Sequence, residues 1–197
     1  MTKAYFFPRL IAYFIDMLII IIIAGAVSFV IPSNKNVEML NKELKSLQNE
    51  FLQKEIEEQE FLDRGKILVY ESDYANSAGI IIQVITIILY FIVFQFYNNG
   101  QTFGKKLVGI KVINNDGGKL TFNSMVYRSL IVNSIFVSFI NLCCLVFMKS
   151  ETYYYLSAAT QMVNGIIFLI IIVMVLFKKN GRGIHDVISG TKVVMVK

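Results

Sequence analysis

Four long stretches of the chain are free of charged residues, and polar segments separate them. They cover residues 17–31, 75–97, 129–148 and 152–177. A helix needs about 20 mostly apolar residues to cross the hydrocarbon core of a bilayer, and each stretch reaches that length with its flanks. The pattern therefore predicts an all-α membrane protein, in which residues 1–197 form a single bundle of four transmembrane helices.

The polar segment between the first two spans, residues 32–74, has a helical pattern of its own. Its apolar residues recur at alternating spacings of three and four, as on one face of a helix. These residues are Val37, Leu40, Leu44, Leu47 and Phe51. We expect one amphipathic helix over about residues 37–62, which either packs on its own bundle or the membrane surface or pairs with another chain.

After the second span, residues 100–122 change from a helical to a strand pattern. Apolar residues alternate with other residues over 108–112, and Asn115-Asp116-Gly117-Gly118 suits a tight turn. This predicts a β-hairpin over residues 100–122. The tail, residues 178–197, ends in a second alternating segment, 191–196, which we expect to pair with 108–113 and complete a three-stranded element.

The distribution of charge predicts the orientation in the membrane. The chain has 19 basic and 14 acidic residues, a net charge of +5. Basic residues precede the first span and recur in 100–122 and 178–197, whereas 32–74 has ten acidic and six basic residues. By the positive-inside rule, both termini and residues 100–122 and 178–197 are cytoplasmic, and 32–74 is an extracytoplasmic helical insertion. We therefore interpret the positive charge as a topology signal and expect no nucleic-acid partner.

Asp16 is a carboxylate inside the first predicted span, roughly 15 Å from its start at 1.5 Å per residue. An Asp at that depth costs on the order of 3 kcal/mol, so it must face the protein interior, pair with a partner or bind a proton. Arg9 lies on nearly the same face of the helix, and Tyr13 lies between the two at helical spacing.

Other polar residues inside the spans predict a layer near the middle of the bundle. Thr86, Asn133 and Asn164 reach a depth similar to that of Asp16 in three other helices. Such a layer either binds a cation or proton or stabilises the bundle by interhelical hydrogen bonds. Arg128, one turn into the third span, either extends to the headgroups or forms an ion pair.

We expect Asp16 to be the central residue of a cation or proton pathway. In this hypothesis Arg9 and Arg128 favour its charged form, and Thr86 and Asn133 are neutral ligands. The competing interpretation is a permanent ion pair between Asp16 and Arg128.

The residue types argue against an enzyme, and we expect neither a cofactor nor a metal. A metal site needs three or four ligands, whereas His185 is the only histidine and Cys143-Cys144 lacks ligand spacing. No serine lies in a nucleophile-elbow motif. His185 is expected to titrate near neutral pH.

Three segments together resemble the RDD family of bacterial membrane proteins. They are PRLIAYFID at 8–16, GQTFGKKLVGIKVINNDGGKLTFNSMVYRSL at 100–130 and GRGIHDVISGTKVV at 181–194. The family is named for an arginine and an aspartate in its first helix and a later aspartate, which correspond to Arg9, Asp16 and Asp186. Because both aspartates need cationic partners, we expect Asp186 to approach Arg9 or another basic group.

The resemblance spans most of the chain but says nothing about the insertion 32–74. It implies a multi-pass protein of the bacterial cytoplasmic membrane and suggests transport, with cation–proton exchange in some members. Two functions are therefore expected: a small transporter or exchanger of a monovalent cation or proton, or a non-catalytic subunit that stabilises or regulates a membrane protein partner. Because four helices are few for alternating access, a transporter is expected to be a homo-oligomer in the lipid bilayer.

Overall fold

The computed structural model describes residues 2–30, 35–118 and 120–196, and within these ranges the fold is mostly helical. A π-helical segment, Leu89–Phe94, joins the helix Ser77–Ile88 to the short helix Gln95–Tyr97. The elements in chain order are α1 (Phe6–Val30), α2 (Lys35–Leu52), α3 (Glu58–Ala75), α4 (Ser77–Ile88), α5 (Gln95–Tyr97), α6 (Phe103–Val108), β1 (Ile110–Asn114), α7 (Phe122–Val132), α8 (Ile135–Phe147), α9 (Ser150–Phe177), α10 (Ile184–Ile188) and β2 (Thr191–Met195).

Three helical stretches are long and apolar enough to cross a membrane: Phe6–Val27, Ser77–Tyr97 and Ser150–Phe177. Their large apolar side chains lie mostly on the outside, as in Phe7, which is 69% exposed. Such exposure is costly in water but suits a bilayer, in which lipid tails cover the apolar surface. The helical bundle therefore belongs in a lipid bilayer.

The third predicted span is not one straight helix. Helices α7 and α8 are bent by 66° relative to each other, so the described residues contain three candidate spans, or four if the bent pair crosses as one. Ser134, between them, has a φ of 55°, which a non-glycine residue rarely adopts. Its hydroxyl donates a hydrogen bond to Oδ1 of Asn164 in α9 over 2.9 Å. The broken helix is thus anchored to its neighbour at the bend.

The single outer helix predicted over residues 37–62 is wrong. Helix α2 ends at Leu52 and α3 begins at Glu58, and the two pack as an antiparallel hairpin. Leu47, which is 1% exposed, lies against Gly65 of α3. The apolar face of α2 is therefore covered by the next helix of the same chain, and the charged residues between the two helices lie at the solvated turn.

The local hairpin predicted over residues 100–122 is also wrong. Residues 103–108 form α6, and β1 pairs antiparallel with β2 from Ile110↔Met195 to Asn114↔Thr191. The predicted pairing of the tail with this segment is thus confirmed. The sheet has two strands in the described ranges, and Lys3 adds a single bridge to Val194. After the turn, Thr121 caps α7 by accepting a hydrogen bond from the Ser124 N–H, so the chain continues as a helix where a return strand was expected.

The sheet and the α2–α3 hairpin lie at opposite ends of the bundle. At the start of α9, the Tyr153 hydroxyl donates to Oδ2 of Asp73 in α3 over 2.7 Å. Helix α9 is 28 residues long, which corresponds to about 42 Å along its axis. Beyond its other end the tail reaches β2, whose Val193 carbonyl accepts a hydrogen bond from the Ala4 N–H. Residues 100–118 and the tail therefore share one end of the bundle.

Candidate functional site

Asp16 is 1% exposed and is held by three uncharged donors. The Tyr90 hydroxyl donates to Oδ1 over 2.6 Å, and the Gly104 N–H donates to the same oxygen over 2.8 Å. The Thr102 hydroxyl donates to Oδ2 over 2.5 Å. A carboxylate that accepts several hydrogen bonds is stabilised without a direct ion pair, so these three donors offset part of the cost of burying Asp16.

The donors to Asp16 come from two elements after the second span. Tyr90 belongs to the π-helical segment, and its ring stacks on Phe94 and Phe103 with centroids 5.6 and 6.4 Å apart. Thr102 is the N-cap of α6, where its side chain accepts from the Lys105 N–H over 3.3 Å. Capping α6 at this residue directs its first turn at α1, and this brings the Gly104 N–H to the carboxylate.

Gly104 permits the close approach of α6 to α1. A Cβ atom at this position would overlap the Ala12 carbonyl oxygen and lie 2.8 Å from Oδ1 of Asp16. Contacts this short force the backbone to shift, because both atoms belong to a packed helix. Only glycine fits between α6 and Asp16.

Asp186, 0% exposed, lies in a second cage built from cations. Nη1 of Arg9 donates to Oδ2 over 2.9 Å, and Nη1 of Arg128 donates to Oδ1 in a short ion pair. The Gly183 N–H and the Thr191 hydroxyl each donate to the carboxylate over 3.3 Å. Helices α1 and α7 are thereby joined to the tail through one carboxyl group.

The expected placement of Arg9 and Arg128 beside Asp16, and the alternative ion pair between Asp16 and Arg128, are corrected by this geometry. Both arginines pair with Asp186, and the partners described for Asp16 are neutral. The pairing of β1 with β2 explains the outcome, because it draws α10 against α7 and so inserts Asp186 between the two arginines.

The charges around Asp186 determine the protonation states of two groups in the tail, the Asp186 carboxyl and the His185 imidazole. Burial alone would raise the pKa of the Asp186 carboxyl, but the positive charges of Arg128 and Arg9 hold it well below its usual range. His185 is 3% exposed, and burial together with Arg128 lowers its pKa to about 3. His185 is therefore neutral at physiological pH, and the expectation that it titrates near neutrality is wrong.

Lys105 is a half-buried cation, and the sequence pattern indicated for it only a role in topology. Its ammonium donates to Oε1 of Gln95 over 3.0 Å and lies 5.7 Å from the centroid of the Phe91 ring. Burial, with Arg128 nearby, lowers the pKa of Lys105 to about 7. Its neighbour Lys106 is exposed, so the pair of lysines divides between the interior and the surface.

The other polar residues of the predicted layer lie apart from Asp16. The Thr86 hydroxyl donates to the Ile82 carbonyl of its own helix over 2.8 Å, and Asn164 accepts from Ser134. Asn133 is 8% exposed and, like Tyr13, lines a cavity beside Arg128 and Lys105. The structure thus gathers Arg9, Arg128 and Asp186 into one cluster.

The sequence pattern did not indicate that Tyr90, Thr102 and Gly104 donate hydrogen bonds to Asp16. Thr102 and Gly104 lie in the segment GQTFGKK, and a threonine just before an apolar helical turn is an N-cap signal that was available. Tyr90 lies in an aromatic run that is also typical of a membrane interface, so its sequence did not distinguish the two roles.

Comparison with known proteins places the chain in a family. The model of the RDD family matches residues 3–190, which is nearly the whole sequence and includes the two caged carboxylates, Asp16 and Asp186, and the two arginines that pair with Asp186, Arg9 and Arg128. Searches of curated proteins and of solved structures found no match. The chain is a membrane protein with apolar spanning helices, and it belongs to the RDD family.

Proposed function

We propose that this protein is a small membrane transporter that exchanges a proton for a monovalent cation, with Asp16 as the group that holds each in turn. The observation that carries the proposal is the neutral cage of Asp16. A carboxylate that is 1% exposed inside a spanning helix, with neutral described partners, retains a negative charge that a proton or a cation can balance.

The cage suits the protonated state as well as the charged state. A hydroxyl has one donor and two acceptor positions. In the charged state the Thr102 hydroxyl donates to Oδ2 and accepts from the Lys105 N–H. When Oδ2 carries the proton, it donates to the remaining lone pair of Thr102, while Tyr90 and Gly104 still donate to Oδ1.

The same oxygens suit a hard cation. Hard cations prefer oxygen ligands, and the Asp16 carboxylate, the Tyr90 hydroxyl and the Thr102 hydroxyl supply them within one cage. One carboxylate carries one negative charge, which favours a monovalent ion such as Na⁺ over a divalent one. Arg9 and Arg128 are engaged by Asp186, so neither neutralises this charge directly.

Release of the proton or cation from the Asp16 cage requires movement of Tyr90. The position of Tyr90 in a π-helical segment supports such movement. Single π-helical turns occur frequently at functional sites, because the extra residue loosens the local hydrogen-bond pattern. Alternating access in a chain of three or four spans is easier in a homo-oligomer, in which the subunits enclose the pathway together.

Proton flux in liposomes tests the proposal. The full chain is reconstituted with a pH-sensitive dye inside, a pH gradient is imposed, and Na⁺, Li⁺ or K⁺ is added outside. A cation should dissipate the gradient for the native chain and fail to do so for Asp16→Asn. Asp116→Asn, the same change in an exposed turn, is the matched control and should behave as the native chain. Absence of flux from folded native protein contradicts the proposal.

The α2–α3 hairpin favours a second candidate function, a non-catalytic subunit that stabilises or regulates a membrane protein partner. Large apolar side chains on this hairpin remain uncovered, with Met39 at 54%, Leu52 at 77% and Ile67 at 51% exposure. Replacing all three by serine should reduce the mass of the complex extracted from native membranes if they bind a partner. An unchanged mass argues against the subunit function.

A further inference from the structure

Two adjoining cavities lie beside the Asp186 cluster. The inner cavity, about 60 Å³, is lined by Tyr13, Gln95, Lys105, Arg128 and Asn133 among others. The outer cavity, about 110 Å³, shares Tyr13, Lys105 and Arg128 and extends to apolar residues of α9. The two cavities therefore meet at the same two cationic side chains. Asp16 lines neither of them, so they are separate from its cage.

Side chains that donate hydrogen bonds converge on the inner cavity. Lys105 brings an ammonium whose described partner is the neutral oxygen of Gln95. Arg128 brings a guanidinium whose Nη1 donates to Asp186 and Thr191 in the described part of the chain. Asn133 and Tyr13 also line the cavity, and its described lining residues include no carboxylate. Cations and neutral polar side chains without a facing carboxylate are what an anion requires.

The charges around this cavity do not cancel. Arg9, Lys105 and Arg128 are three cations, and Asp16 and Asp186 are two carboxylates that act on Lys105 from α1 and α10. His185 is neutral near pH 7 because burial lowers its pKa to about 3. Asp186 offsets only one of the two arginines that it contacts, so at least one positive charge remains in excess whatever Asp16 holds, and an uncompensated buried charge is costly at membrane depth.

We propose that the inner cavity binds one small monovalent anion of the size and charge of chloride, between Lys105 and Arg128, with Asn133 and Tyr13 as neutral donors. Its charge offsets the excess of one. The volume holds a few water-sized spheres at about 10–15 Å³ each, which suits a halide ion and excludes a phospholipid headgroup.

Thermal unfolding of the purified full chain in detergent tests the site. Tyrosine fluorescence or circular dichroism is followed in sodium chloride and in sodium gluconate at equal ionic strength. The measurement is made at pH 6, where Lys105 is protonated because burial lowers its pKa only to about 7. Chloride at 100 times its Kd should raise Tm by about 5–10 °C, and the increase should follow a one-site binding curve.

Two substitutions that remove the same charge localise the effect. Lys105→Met should abolish the chloride-dependent shift, whereas Lys106→Met, at an exposed neighbour, should retain it. Asn133→Val, which keeps every charge, should weaken chloride binding several-fold. This variant tests the site even if Lys105→Met does not fold. Bromide should replace chloride, and its anomalous scattering should place it in the inner cavity.

Equal Tm values of the native chain in chloride and gluconate overturn the inference, because water alone then fills the cavity. A chloride-dependent Tm shift that remains in both Lys105→Met and Asn133→Val also overturns the inference. Bromide bound outside the inner cavity overturns it as well. The chloride-dependent Tm shift should persist in Asp16→Asn, so the anion site is tested independently of proton–cation exchange.

Discussion

The Gly104 N–H and Oδ1 of Asp16 are 2.8 Å apart, so the backbone of α6 rests directly on a buried carboxylate of α1. The contact joins residues 88 positions apart in sequence. It also makes glycine a requirement at position 104, because a Cβ atom would overlap the Ala12 carbonyl oxygen.

Gly104→Ala should therefore destabilise the protein by about 1–3 kcal/mol, since the added methyl group displaces α6 from α1. The free energy of unfolding in mixed detergent micelles measures the effect. Gly165→Ala is the matched control, because a Cβ at Gly165 meets no atom within 4 Å. That control should be neutral or slightly stabilising, as alanine is the better helix former. A neutral Gly104→Ala contradicts the close packing of α6.

Tyr90→Phe removes one donor from the Asp16 cage and leaves the aromatic stacking on Phe94 and Phe103 in place. A hydrogen bond to a charged group contributes about 1.5–3 kcal/mol, so unfolding should become easier by an amount in this range. Tyr97→Phe is the matched control, because the Tyr97 ring is 78% exposed, and thermal unfolding compares the two variants. If the two variants have the same Tm, the Tyr90 hydroxyl does not stabilise the cage.

Asp186→Ala leaves Arg9 and Arg128 buried without their shared carboxylate. Breaking a buried pair on one side typically costs about 3–5 kcal/mol, and here two cations lose their partner. We expect a loss of stability of at least that size, measured by detergent unfolding. Asp116→Ala, in an exposed turn, loses one hydrogen bond from the Gly118 N–H and should cost no more than about 1.5 kcal/mol. Equal effects of the two substitutions would falsify the role of Asp186 as the link between α1, α7 and the tail.

The neutral state of His185 predicts a loss of stability in mild acid. Its pKa falls from 6.5 to about 3 on folding, through burial and the charges of Arg128, Arg9 and Lys105, against Asp186. Between these values the unfolded chain binds a proton that the folded protein does not, so stability should fall as pH decreases below about 6.5. Each pH unit costs up to about 1.4 kcal/mol.

His185→Gln should remove most of this pH dependence between pH 6.5 and 4.5. Asp186 does not interfere there, because its pKa is lowered from 3.8 and its contribution is lost only in stronger acid. Tm measured across this interval, with a purification tag free of histidine, compares the native chain with the variant. A native Tm that is flat from pH 6.5 to 4.5 contradicts a buried neutral His185.

The orientation in the membrane is tested by cysteine labelling of intact cells, after Cys143 and Cys144 are replaced by serine. Lys45→Cys in α2 should react with an impermeant reagent, because the acidic segment 32–74 is predicted to face outward. Asn115→Cys, next to β1, should react only after the membrane is permeabilised. The reverse pattern contradicts the predicted topology.

The sequence by itself determined the parts of this protein that local pattern controls. Hydropathy alone marked the spanning stretches, because each helix must satisfy the length of the bilayer independently of its neighbours. Alternation in 108–113 and 191–196 was sufficient to predict their pairing, which the structure confirms for Ile110–Asn114 and Thr191–Met195. The family motifs identified Arg9, Asp16 and Asp186, and the family model matches residues 3–190.

Only the tertiary structure decided which charged groups meet. Arg9 and Asp186 are 177 positions apart and Arg128 and Asp186 are 58 apart, so no local pattern indicates that both arginines share one carboxylate. The same holds for the two lysines of α6, where the packing of the helix turns Lys105 inward and leaves Lys106 exposed. Spacing predicts which face of a helix a side chain occupies, but its partner depends on how distant elements pack, and that packing left Asp16 with neutral donors.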